Sequence, residues 1–188
     1  MQAMSLNGVW DLFQGSLSDG VEEASTIADK ARARYRAEVP GDIRQALIKA
    51  GRINEPLVGL NSFTSNWVEN HSWWLRRKFV APVAWQKAAR VELELDGLDI
   101  MADIFVNGKH LGRHPSAFRP FIADISGLIK FGRRNEVLVR LSAGLETVGA
   151  HKIYHAETIA KESAPGESER GDIRRIFLRK PQYSYGWD

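Results

Sequence analysis

The dominant period of apolar and polar side chains in this chain is two, which commits it to half-buried β-strands, since successive strand residues point to opposite faces. The cleanest run is Ala31-Arg32-Ala33-Arg34-Tyr35-Arg36-Ala37-Glu38-Val39, halted by Pro40-Gly41, because proline cannot donate to a ladder. Further strands are expected from Leu6 to Phe13, Trp73 to Phe79, Arg90 to Leu95, Phe118 to Ile125 and Val137 to Leu141. Between Ile104-Phe105-Val106 and Lys109-His110-Leu111 stands Asn107-Gly108. That pair supplies the two positive φ angles of a type I′ turn and predicts a hairpin.

Only one segment reads as helix. Ile43, Ala46, Leu47 and Ala50 recur at helical spacing, Asp42 precedes them as an N-cap, and Gly51 follows as a stop. Residues 15–29 and 52–72 read as loops, residues 144–171 as a long polar excursion, and Ile173 to Leu178 as one more strand. Seven or eight short strands with one brief helix predict an all-β fold, a jelly-roll or Greek-key β-sandwich. A length of 188 residues suffices for a single core without a metal or disulfide staple.

Composition removes several kinds of chemistry. With no cysteine there is no thiol nucleophile, thiolate zinc site or disulfide. The net charge of +3 comes from scattered basic residues, unlike the concentrated basic face of a nucleic-acid binder. No run reaches the roughly 20 apolar residues of a helical membrane span, and the N-terminus lacks the pattern of a secretory signal. A soluble protein is expected, with the compartment open between cytoplasm and periplasm. No phosphate loop, dinucleotide fingerprint or serine-hydrolase frame occurs, so no cofactor is expected. His110/His114 and His151/His155 stand four apart, but neither pair gathers a third ligand, and surface histidines are expected. Asp96, Asp99, Asp103 and Asp124 flank central strands; nothing selects from them the carboxyl pair that glycosidic cleavage needs, and they read as turn or strand-end residues.

Aromatic placement is more informative. Adjacent Trp73 and Trp74 must face opposite sides of a strand, one in the core and the other exposed or covered. The closing run Arg179-Lys180-Pro181-Gln182-Tyr183-Ser184-Tyr185-Gly186-Trp187-Asp188 gathers three aromatics beside a carboxylate. Such a set builds a folded loop, or a sugar site in which C–H groups stack on a ring and hydroxyls donate to the acid.

Taken in order, Val39-Pro40-Gly41-Asp42, Gly59-Leu60-Asn61, Trp67-Val68, Trp73-Trp74-Leu75-Arg76-Arg77-Lys78-Phe79, Leu95-Asp96-Gly97-Leu98-Asp99, Ala102-Asp103-Ile104-Phe105-Val106-Asn107-Gly108 and Leu111-Gly112 resemble the N-terminal sugar-binding-type domain of family 2 glycoside hydrolases. The closing run resembles the β-mannosidase branch of that family. The resemblance covers the chain from Leu6 to Asp188 and implies a single galactose-binding-like jelly-roll domain over residues 1–188, cut from a larger glycosidase. It implies immunoglobulin-like and TIM-barrel domains of the same polypeptide as partners, with the catalytic residues in the barrel and none in this chain. It further implies that Trp187 walls the subsite for a terminal β-mannoside and that Asp188 accepts hydrogen bonds from that sugar. A stand-alone carbohydrate-binding module and a family member acting on a β-glucosaminide or β-galactoside remain alternatives.

Overall fold

The computed structural model describes residues 2–27, 34–149 and 173–180. Eight strands occur among them: β1 (Gly8–Ser16), β2 (Arg34–Val39), β3 (His71–Val80), β4 (Glu92–Leu95), β5 (Met101–Val106), β6 (Lys109–Pro115), β7 (Phe121–Asp124) and β8 (Arg134–Ser142). Six form an antiparallel sheet in the order β2-β1-β3-β8-β5-β6, and β4 pairs with β7 in a second sheet. The fold is an all-β sandwich, as the period-two pattern requires.

The main core lies between the sheets. Trp10 and Leu12 of β1, Trp73 and Leu75 of β3, Val137 and Val139 of β8, and Ala102, Ile104 and Val106 of β5 pack with Leu93 of β4. The helix Ile43–Lys49 closes this core with Ala46 and Leu47. Its N-cap is Asp42, whose side chain accepts from the Gln45 amide at 2.9 Å, as the Asp-then-apolar pattern predicts. Each fully buried Leu, Ile or Phe contributes about 1.5–3 kcal/mol by leaving water.

The reverse face of the large sheet is also covered. Phe13, Trp74, Phe105 and Leu138 cluster there under Ile27 and Ala24. Trp73 and Trp74 are 3% and 0% exposed, so both faces of β3 are buried. Trp74 stacks on Phe105 with ring centroids 6.0 Å apart.

Several sequence expectations need correction. Ile173–Phe177 is a 3₁₀ turn, not a strand, and the segment pairs with no strand among the described residues. The stretch read as loop from 52 to 72 contains a helical turn, Asn61–Thr64, and a 3₁₀ turn, Asn66–Asn70, before β3 starts at His71. β1 runs on to Ser16 because its ladder with β3 extends to the Ser16–His71 pair. The expected Phe118–Ile125 strand shortens to Phe121–Asp124, since Pro120 removes a donor at its start. The Asn107-Gly108 turn is as expected, with φ of 49° and 82°.

Candidate functional site

Trp187 and Asp188, the two residues expected to meet sugar, lie outside the described residues, as do His151 and His155. The described part of the C-terminal segment, residues 173–180, is fastened to the sandwich at three points. Arg175 makes a forked contact with Glu69, its Nε donating to Oε2 at 2.9 Å and its Nη2 reaching both carboxylate oxygens. Arg44, on the helix Ile43–Lys49, donates to the same Glu69 at 2.9 Å. Leu178 is 7% exposed and packs with Ile100 and Leu145. Lys180 Nζ donates to Asp99 Oδ2 at 2.6 Å.

Local backbone chemistry makes room for this seat. Gly144 has a φ of +81°, and a Cβ there would lie 3.1 Å from both Leu178 Cδ2 and Met101 Cγ. Glycine therefore serves twice, reaching a left-handed angle that L-residues avoid and leaving space for Leu178. Glu69 is held by the 3₁₀ turn Asn66–Asn70, where Val68 is buried and accepts, through its carbonyl, the Trp73 indole N–H at 2.9 Å.

Two of the remaining candidate carboxylates, Asp103 and Asp124, have structural partners. Asp103, read as a strand-end residue, sits inside β5 and is 2% exposed. Arg113 donates to both its oxygens at 3.1 and 3.0 Å, His110 Nε2 lies 3.2 Å away, and Arg140 Nη1 lies 3.6 Å away. Arg140, itself 3% exposed, donates through Nη2 to the Leu17 carbonyl at 3.0 Å. Buried charge of this kind needs such pairing, so Asp103 is occupied and offers no free oxygen for proton transfer. Asp124 accepts from the hydroxyl and amide of Ser126, bonds that hold its carboxyl below the ordinary value. Asp96 is exposed.

The histidine expectation is also corrected. The ladder between β5 and β6 slips by one residue between Ile104 and Phe105, pairing Phe105 with His110 but Ala102 with His114. This bulge sends the two imidazoles to opposite faces of the sheet. His110 packs on Phe105, with ring centroids 4.8 Å apart, while His114 is 8% exposed, lies 2.8 Å from the Arg119 carbonyl and meets Phe121 edge-on. His114 is a core residue and not a surface one. Among the described residues no cluster of three metal-ligating side chains exists.

Residues 21–188 match the family described as glycosyl hydrolase 2 galactose-binding domain-like. The chain belongs to this family. It is 25% identical over 184 residues to a β-mannosidase of Rattus norvegicus, covering 98% of this chain and 19% of the relative. A β-D-mannosidase of Dictyoglomus thermophilum superposes with a TM-score of 0.73 at 29% identity, covering all of this chain and 20% of that one. A β-glucuronidase from an uncultured Clostridium shares the fold, with a TM-score of 0.53 at 23% identity over 72% of this chain. This family 2 domain thus spans about one fifth of the length of the β-mannosidases it resembles.

The family match and the whole-chain likeness to β-mannosidases agree with the resemblance carried by the sequence motifs. The Glu69–Arg175 and Asp99–Lys180 contacts were not legible beforehand. Their partners lie 106 and 81 residues apart, and no spacing rule links them. The one available hint, Asp99 at the end of Leu95-Asp96-Gly97-Leu98-Asp99, does not name a partner.

Proposed function

We propose that this domain is the non-catalytic N-terminal part of a retaining exo-glycosidase of β-mannosidase type, which removes terminal β-D-mannose residues. In this reading the sandwich supports a catalytic barrel that lies elsewhere in the polypeptide and lends Trp187 and Asp188 to the sugar subsite. The observation that carries the reading is likeness to β-mannosidases along the entire chain, closing run included.

The physical roles follow from residue type. Trp187 offers a flat apolar face on which the axial C–H groups of a pyranose can stack. The Asp188 carboxylate accepts from sugar hydroxyls, and such a charge-assisted bond is worth about 1.5–3 kcal/mol in a dewatered cleft. Neither residue performs bond cleavage; both choose and hold the ring. Support for a scaffolding role comes from Leu57, Val58 and Leu60, which are 93%, 60% and 73% exposed in one loop, an apolar surface suited to packing against a following domain of the same polypeptide.

The test is hydrolysis of an aryl β-mannoside. The polypeptide that includes the barrel is expected to cleave it, the 188-residue chain to leave it intact, and an Asp188→Ala polypeptide to lose most activity. Full activity in that variant refutes the subsite role. Cleavage of a β-glucosaminide or β-galactoside in preference to the mannoside would move the substrate within the family. Millimolar-or-better mannose binding by the 188-residue chain alone, measured by calorimetry, would instead favour an independent carbohydrate-binding module.

A further inference from the structure

We propose that the loop carrying Leu57, Val58, Leu60 and Phe63 is the surface by which this domain docks on the catalytic barrel of its own polypeptide. The proposal rests on the functional reading above, which puts that barrel in the same chain, and it gives the barrel a named seat on the sandwich.

The four side chains are 93%, 60%, 73% and 41% exposed and fall within seven residues of one another. Single exposed leucines are ordinary on a protein surface; a contiguous set marks a contact. Their backbone is already fixed. The Val58 amide donates to the Glu55 carbonyl at 3.1 Å, the Asn61 amide to Val58 at 3.2 Å and the Phe63 amide to Leu60 at 3.1 Å. The Asn61 side chain donates to the Glu55 carbonyl at 3.0 Å. The run then anchors on buried Ser65 and Val68, and the Val68 carbonyl accepts the Trp73 indole N–H. A loop held this way presents its apolar groups at little ordering cost on binding.

Position and size choose the occupant. The loop leads through the turn Asn66–Asn70 into β3 at His71. The Trp73–Leu141 and Met101–Ser142 pairs bring the start of β3, the end of β8 and the start of β5 to this same end of the sandwich, where Arg175, Leu178 and Lys180 are fastened. Ile176, 54% exposed beside Arg175, adds apolar surface there. The five side chains offer on the order of 500 Å². That falls short of the about 800 Å² per partner that holds a free complex together. It suits an interface between domains of one chain, about 300–750 Å² per side, because tethering supplies an effective concentration on the order of millimolar. The β-mannosidases of which this chain covers 19% and 20% have the remaining length to supply such a domain.

Hydroxyl-radical footprinting of the polypeptide that includes the barrel reads these side chains one by one. Oxidation of Leu57, Leu60 and Phe63 is expected at least about fivefold slower there than in the 188-residue chain. Val80 and Val83, 56% and 64% exposed at the far end of β3, are expected to react equally in both. Equal rates at 57, 60 and 63 overturn the proposal. Photo-cross-linking from p-benzoylphenylalanine in place of Phe63 identifies the occupant. A cross-link to a barrel peptide is expected; cross-links confined to another domain or to a second copy, or none, overturn the assignment. Leu57→Asp with Leu60→Asp is expected to restore oxidation of Phe63 in the long polypeptide and to leave the unfolding midpoint of the 188-residue chain unchanged. Continued protection of Phe63, or a fall in that midpoint, overturns the docking role. None of these readouts uses substrate. A protected loop cross-linked to the barrel of a polypeptide that cleaves no β-glycoside refutes the functional reading and keeps the docking. An exposed loop in an active mannosidase refutes the docking alone.

Discussion

Asn107 Nδ2 donates to Asn135 Oδ1 at 2.9 Å, joining the β5–β6 hairpin turn to the start of β8. Each amide uses both of its donors and its oxygen. Asn107 also donates to the Leu128 carbonyl at 2.7 Å and accepts from the Glu136 amide at 2.9 Å. Asn135 accepts from the Lys130 amide at 2.8 Å and donates to the Lys130 and Arg133 carbonyls at 2.9 Å each. Asn107 therefore does more than tolerate a positive φ. It ties a local turn to the centre of the six-stranded sheet.

Asn135→Ala strands several backbone groups in a site that is 1% exposed. Urea denaturation is expected to show a loss of about 2–4 kcal/mol. Asn107→Gly keeps the turn angles but drops the amide bonds, and a smaller loss of about 1–2 kcal/mol is expected. Equal stability of either variant with the unmodified chain would mean that water replaces these bonds at no cost.

Asp11 predicts an acid-sensitive contribution. Burial alone would raise its carboxyl, but hydrogen bonds from Arg76, Arg34 and Arg36 outweigh burial and hold it below the ordinary value. Arg76 and Arg34 also lie over the Phe13 ring, with guanidinium carbons 4.9 and 5.5 Å from its centroid. A carboxyl depressed in the folded state stabilises above its unfolded value, near 3.8, and that stability fades as pH falls through the lower folded value. Asp11→Asn is expected to cost about 1–2 kcal/mol at pH 7, the two exposed arginines adding little because solvent screens them. The gap should narrow as pH falls below the unfolded value and through the lower folded one. A constant difference across that range in pH-dependent unfolding would contradict the assignment.

Gly144→Ala tests the seat of Leu178. The variant combines a left-handed angle with a Cβ 3.1 Å from Leu178 and Met101, and a loss of about 1–3 kcal/mol is expected by thermal or urea unfolding. Hydrogen exchange should quicken first at 173–180. Exchange that quickens uniformly would show that Leu178 belongs to the main core and not to a separate anchor.

The sheet architecture was legible because strand alternation and turn chemistry are local. Ala37 and Val139 face inward while Arg36 and Arg140 face the other way, and Asn107-Gly108 announces its own turn. The Asp42 cap was legible for the same reason. What escaped the sequence is set by distance. Ile173 to Leu178, rich in β-branched and aromatic residues, reads as a strand, but pairing is a tertiary property, and a 3₁₀ turn held by Arg175 and Leu178 prevails. His110 and His114 read as surface histidines, and one bulged residue turns His114 into the core. Asp103 passed for a strand-end residue because nothing local signals that Arg113 and Arg140 will converge on it inside β5. Trp187 and Asp188 rest on the family resemblance, as no periodicity singles them out.

The most direct measurement of the central claim is a crystal structure of the polypeptide that includes the barrel, with mannose bound. An Asp188 carboxylate oxygen within roughly 2.5–3.0 Å of a sugar hydroxyl, with the Trp187 ring against the pyranose, is the expected result. A sugar held by the barrel alone, with both side chains turned away from it, would contradict the account.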